Sequence, residues 1–283
     1  MLTENCQYTG GEIMDKNQKR LENALNKELL AVDKQEKKME QAALRTKSAV
    51  WKTELEKRIP EKVYKGLESA FCKGFGVVFN QGRTLIEKGY NKETVQADFA
   101  VRDFAVQVKG RRKELKQMNK SAKHADLINM TATTVEGIGL GVLGIGMPDI
   151  VLFLGNLLKG IYEAAMNYGF GYETRREQML ILKMMQTALT NGEAWAEKNA
   201  EVNRLQFEEN AEITEEMFQQ QLRDTASAFA VDMLLLKFIQ GLPVVGIIGG
   251  AANPVYYSKV MKYVQIKYRK WYLLKQKKLI VSS

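Results

Sequence analysis

Histidine and cysteine are almost missing from this 283-residue chain: His124 stands alone, and Cys6 and Cys72 lie far apart. One imidazole and two separated thiols cannot assemble a zinc site, and they form no C-x-x-C pair. No metal or cofactor is therefore expected. The opening residues "MLTENCQYTGGEIMDKNQ" lack an apolar secretory core, so a reducing cytoplasm is the expected compartment. Proline is also scarce, with Pro60, Pro148, Pro243 and Pro254 only. Long stretches rich in Glu, Lys, Gln, Ala, Leu and Met run without the strongest helix breaker, which predicts an all-α, multi-helix bundle.

Charge is present but unevenly placed. The formal net charge is +9, and residues 259–278 carry Lys259, Lys262, Lys267, Arg269, Lys270, Lys275, Lys277 and Lys278 without one acid. Without them the chain is close to neutral, so the basicity belongs to the C-terminus.

Residues 1–14 read as a flexible tail. Residues 15–58 read as a long charged amphipathic helix, with Leu21, Leu25, Leu29, Val32 and Met39 on one stripe. Residues 59–283 read as a helical domain ending in a basic aromatic tail. Within it Gly89 and Asn91 suit a helix stop and Thr94 a new start, while Arg111, Arg112 and Lys113 read as a solvated basic run. Thr174 and Glu177 have the spacing of a capping box. Residues 193–216 look like an exposed acidic helix, with nothing to bury a carboxylate pair for acid/base work.

Two runs lack charge. "GIGLGVLGIGMP", residues 137–148, contains Gly139, Gly141 and Gly144 in the order G-x-G-x-x-G. A dinucleotide site would need a strand before that run and a βαβ unit around it. The residues before it have little strand character, and Pro148 and Asp149 fall where the phosphate-binding helix would already be running. The same glycines suit close helix approach. The second run, residues 238–258, carries Gly246 and Gly250 in G-x-x-x-G spacing, so Gly141, Gly144, Gly246 and Gly250 are the expected close-approach positions. Both runs are interrupted, so they suit either a hairpin-like element dipping into a membrane or the core of a bundle.

The tail favours the membrane in this reading. Tyr256, Tyr257, Tyr263, Tyr268, Trp271 and Tyr272 interleave with the eight cations, the pairing expected where a protein meets anionic headgroups. Lys259, Lys262, Lys267, Arg269, Lys270, Trp271, Lys275, Lys277 and Lys278 are the expected lipid-binding residues. Single-stranded nucleic acid could stack on such a surface, but a nucleic-acid reader has no need of the uncharged run just before it. Asp149, Lys159, Asp232 and Lys237 lie within or against the apolar runs, where ionisable groups need partners. Asp149 with Lys159 is the expected buried polar pair, and Tyr168 and Asn253 complete the candidate ligand site.

The block "GLGVLGIGMPDIVLFLGNLLKGIYEAAMNYGFGYETRREQMLIL" and the later "LPVVGIIGGAANPVYYSKV" together resemble the EcsC family. The likeness is carried by Asp149-Ile150, Ile161, Glu163, Ala165, Tyr168-Gly169, Pro243, Gly246, Gly249, Gly250 and Asn253. "RIPEKVYKGLESAF" is similar too. The resemblance implies a bacterial protein whose relatives include one encoded beside the two components of an ABC transporter, with no established activity for the family. Lys159 stands where arginine is expected, and Pro148 precedes Asp149 where the family order is Asp-Ile-Pro.

The expected function is a membrane-associated accessory or interaction protein, peripheral to the inner face of the cell membrane, binding anionic lipid, a transporter or another protein partner. A hydrolase or lipid-modifying enzyme centred on Asp149, Tyr168 and Asn253 is the alternative.

Overall fold

The computed structural model describes residues 9–45, 60–82, 86–87, 89–131, 147–208, 211–239 and 253–282. The described residues form nine α-helices and no strand. They are α1 (Thr9–Arg45), α2 (Glu61–Val77), α3 (Lys92–Lys109), α4 (Arg112–Thr131), α5 (Met147–Asn167), α6 (Arg175–Leu189), α7 (Ala194–Phe207), α8 (Glu215–Ile239) and α9 (Asn253–Ser282), with a π-helical turn at Val78–Gly82 after α2. The all-α bundle expected from composition is the observed architecture. Gly141, Gly144, Gly246 and Gly250 lie outside the described residues.

Local sequence explains the helix ends. Asn91, rather than Thr94, caps α3 by accepting from the Thr94 amide at 2.9 Å. Thr174 and Glu177 make the expected capping box at α6. Gly110 ends α3 in the left-handed region, φ 56°. A side chain there would meet the Asn17 carbonyl oxygen at 2.9 Å, so glycine lets the α3–α4 corner sit against α1. The acidic stretch expected to be one exposed helix is broken between α7 and α8, and Trp195, Val202 and Leu205 bury one face of α7. Arg176 closes the end of α7 by donating to the carbonyls of Leu205, Gln206 and Glu208 at 2.6–2.9 Å.

Two aromatic cores hold the layers together. Phe71 and Phe75 of α2, Phe153 of α5 and Phe229 of α8 meet with ring centroids 5.1–6.0 Å apart. The second core surrounds α9, which packs on α1, α4, α5 and α6. Tyr256, Tyr257, Tyr263, Tyr268, Trp271 and Tyr272 are all buried there. At Gly160 of α5 an added Cβ would collide with the Tyr257 hydroxyl, so glycine permits the α5–α9 approach.

The stretch expected to be a headgroup-facing tail is therefore a helix packed on four others: its rings, Lys267 and Arg269 are buried, while Lys262, Lys275 and Lys278 stay exposed. Lys267 is fully buried and Arg269 nearly so. Each pairs with a carboxylate of α1: Lys267 with Glu36, Arg269 with Glu28. Glu36 also accepts from Lys270 at 2.6 Å and Asn199 at 3.0 Å, and Lys270 reaches Asp33 at 2.9 Å. Lys267 donates to Asn203 at 2.9 Å.

Burial alone would raise the Glu36 carboxyl, but the charge of Lys267 and bonds from Lys267, Lys270 and Asn199 outweigh it and pull it down to about 2. Burial pushes the Lys267 ammonium down to about 8 against the pull of Glu36.

Two predictions follow from this geometry. Glu36→Leu alone leaves the Lys267 ammonium buried without its carboxylate and is expected to cost about 3–5 kcal/mol. Glu36→Leu with Lys267→Met removes both charges and is expected to recover most of that loss; urea unfolding of the two variants checks the cycle.

For acid stability, Glu36 stays ionised in the fold down to about 2, whereas the unfolded chain takes up that proton near 4.5. The unfolded state thus binds more protons between those values, and stability falls as pH drops through that window, by at most about 3 kcal/mol for this group. Melting temperature against pH from 5 to 2 is expected to fall less steeply in Glu36→Gln than in the parent.

Candidate functional site

The helices around α9 leave a cleft of about 800 Å³ between the C-terminal halves of α1, α4 and α8 and the N-terminal half of α9. Its size is that of a small-molecule site. Apolar surface comes from Met39 and Ala42 of α1, Trp195 of α7, Leu235 of α8, and Val255 and Ile266 of α9. The charged groups among the described residues are Lys38, Lys123, Lys259, Lys262 and Arg269, with Asp232 as their one acid. Sequence connects this place to both uncharged runs. Residues 132–146 follow α4, and residues 240–252 join α8 to α9.

Asp232 accepts from Lys259 at 2.8 Å and from Asn191 at 3.4 Å. Its partner is thus on α9, across a helix interface, as ionisable groups beside apolar segments require. Burial, with the Asp232 charge adding to it, raises the Tyr256 hydroxyl out of the titratable range. The hydroxyl stays a donor, 3.5 Å from the Asp232 carbonyl.

Tyr168 lies behind the cleft wall. It is buried, donates to Asn119 Oδ1 at 3.2 Å, and has its phenol pushed up by burial. Because Asn119 lines the cleft, one side chain separates Tyr168 from the open volume. The expected Asp149–Lys159 pair depends on an Asp149 side chain that lies outside the described residues; the two positions are both on α5, about 15 Å of axial rise apart. The Lys159 stem packs beside Gly89. Asn253 opens α9, and the side chains of Asp149, Lys237 and Asn253 lie outside the described residues.

The expected lipid-binding residues divide by environment. Lys267, Arg269 and Trp271 are buried, Lys267 paired with Glu36 and Arg269 with Glu28, while Arg269 also lines the cleft. Lys270 is half-buried and paired with Asp33 and Glu36, and Lys277 donates to Asn26 at 2.9 Å. Lys262, Lys275 and Lys278 remain on the surface, and of these only Lys262 lines the cleft. Reasoning from sequence missed Lys38 and Lys123 as its companions. Only the fold brings them to α9, so no local pattern could have shown them.

Beyond the cleft, Val101, Phe104 and Val108 of α3 are exposed at helical spacing. Among the described residues no helix is long and apolar enough to cross a membrane. The described His, Cys, Asp and Glu side chains form no group of three or more that could hold a metal ion.

Searches of curated proteins and of solved structures return no match. The EcsC protein family matches residues 23–273, a span that runs from the first half of α1 to the last turns of α9 and includes every helix lining the cleft. On that match the chain is a member of the EcsC protein family.

Proposed function

We propose that the protein is an accessory or interaction factor at the inner face of the cell membrane, and that the α1–α4–α8–α9 cleft holds an anionic lipid or the headgroup end of one. The observation that carries the reading is the make-up of that cleft: apolar surface from Met39, Leu235, Val255 and Ile266 beside Lys38, Lys123 and Lys262. An anionic amphiphile needs those two kinds of surface side by side, one for acyl chain and one for phosphate. The exposed stripe of Val101, Phe104 and Val108 adds apolar surface suited to the same interface. A link to an ABC transport system rests on the family resemblance alone.

Vesicle flotation tests the reading. The parent is expected to rise with phosphatidylglycerol vesicles, and to do so about tenfold less with phosphatidylcholine vesicles, with steep loss on added salt. Lys38→Gln, Lys123→Gln and Lys262→Gln combined change three exposed residues and are expected to cut capture about fivefold or more without lowering the melting temperature. Equal capture by neutral and anionic vesicles, or full capture of the triple variant, overturns it.

A further inference from the structure

The buried ion pairs neutralise much of the charge of α9, and a concentrated positive surface stands elsewhere. The N-terminal half of α1 and the start of α4 enclose a second cleft of about 490 Å³. Lys16, Lys19, Arg20, Lys27, Arg111 and Arg112 line it with Asn23 and Ala24, and no acid is among them. It shares no lining residue with the larger cleft.

Three features make this a built site and not a chance surface. Lys16, Arg20, Asn23 and Lys27 are spaced by four, three and four residues, one line along α1. Glu22, the acid within that stretch, is about 200° of helix rotation from Arg20 and three residues from Lys19, on the flank of that line. Gly110 holds the α3–α4 corner against Asn17 and Leu21 of α1 through a left-handed backbone that other residues rarely adopt, which brings Arg111 and Arg112 to the α1 line. Arg112 is oriented from below: its Nε donates to Glu28, a carboxylate almost wholly buried that also holds Arg269. The Nε edge of the Arg112 guanidinium is thus occupied by an internal acid while its side chain remains partly open to the cleft.

The geometry points to a binding site for an oligophosphate, an anion carrying several phosphate groups within a few ångströms of one another. Arg112 is already met by Glu28, but Lys16, Arg20, Lys27 and Arg111 line the same small volume, and an anion with a single charge offsets only a fraction of their mutual repulsion. Two adjacent arginines suit phosphate oxygens because a guanidinium offers paired N–H donors, and the lysines of α1 add point charges along the length of the ligand. A soluble polyphosphate and a cluster of phosphorylated lipid headgroups present the same chemistry.

Titration calorimetry of the full chain with sodium tripolyphosphate tests the site. One equivalent is expected to bind in the micromolar range at about 0.1 M salt, weakening steeply as salt rises. Orthophosphate at matched ionic strength is expected to bind about 50-fold more weakly. Lys16→Gln, Arg20→Gln and Arg111→Gln combined alter exposed side chains and are expected to weaken tripolyphosphate about 20-fold or more with melting temperature unchanged. The Lys38/Lys123/Lys262 variant is expected to bind it within about twofold of the parent.

Absence of binding, equal binding of orthophosphate, or unchanged binding by the Lys16/Arg20/Arg111 variant overturns the assignment. The source is read from phosphatidic acid vesicles. Capture that tripolyphosphate competes away and that the Lys16/Arg20/Arg111 variant lacks supports headgroups as the source, while capture indifferent to both supports the soluble anion. Failure here leaves the flotation result of the larger cleft untouched, since the two variants share no position.

Discussion

Everything in the bundle accommodates the burial of α9's cations against the carboxylates of α1. Lys267 and Arg269 sit in the interior because α9 is surrounded by four other helices, and an uncompensated charge in such a place is prohibitively costly. Glu36 and Glu28 answer them from a single helix, eight residues apart. Pairing of this kind contributes little net stability over apolar packing, but a one-turn slip of α1 along α9 would leave buried charges unmatched. The ion pairs therefore act most strongly on register, in the way a buried polar residue fixes the alignment of a coiled coil.

That register determines where positive charge is available for anything else. Among the described side chains of α1 the buried carboxylates are Glu28 and Glu36, and the line of Lys16, Arg20 and Lys27 lies on the same helix with no acid among the described residues lining its cleft. Folding thus sends Glu28 and Glu36 inward to meet Arg269 and Lys267 and leaves Lys16, Arg20 and Lys27 on the outer side of α1. The segment that looks most basic in sequence is not the one that presents the most basic concavity.

The parts legible in sequence were those set by local chemistry. The stripe of Leu21, Leu25, Leu29 and Val32 is buried as its spacing requires, and Thr174 with Glu177 caps α6. A finer reading of α1 was also available: the seven-residue gap between Val32 and Met39 has Glu36 at its middle, on the packed face, and Glu28 falls between Leu25 and Val32 on the same line. Two glutamates on an apolar stripe signal basic partners elsewhere in the chain. The burial of α9 was not legible. A helix covered on several sides has no periodic apolar face to detect, and lysines interleaved with tyrosines carry the same composition whether they meet lipid or another helix. The cleft residues Lys38, Lys123 and Lys262 come from three helices far apart in sequence, so only packing brings them together.

Glu28 ties these features into one arrangement. Its carboxylate accepts from Arg269, whose side chain lines the larger cleft, and from Arg112, whose side chain lines the smaller one. A carboxylate has enough lone pairs for both guanidiniums and is the same fixed anion for each. Glu28 and Arg269 are buried, whereas the Arg112 side chain is nearly half exposed, so Arg112 is the member of the three that meets water. The two clefts occupy different parts of the surface, yet beneath both lies one side chain of α1, held in place by the packing that buries α9.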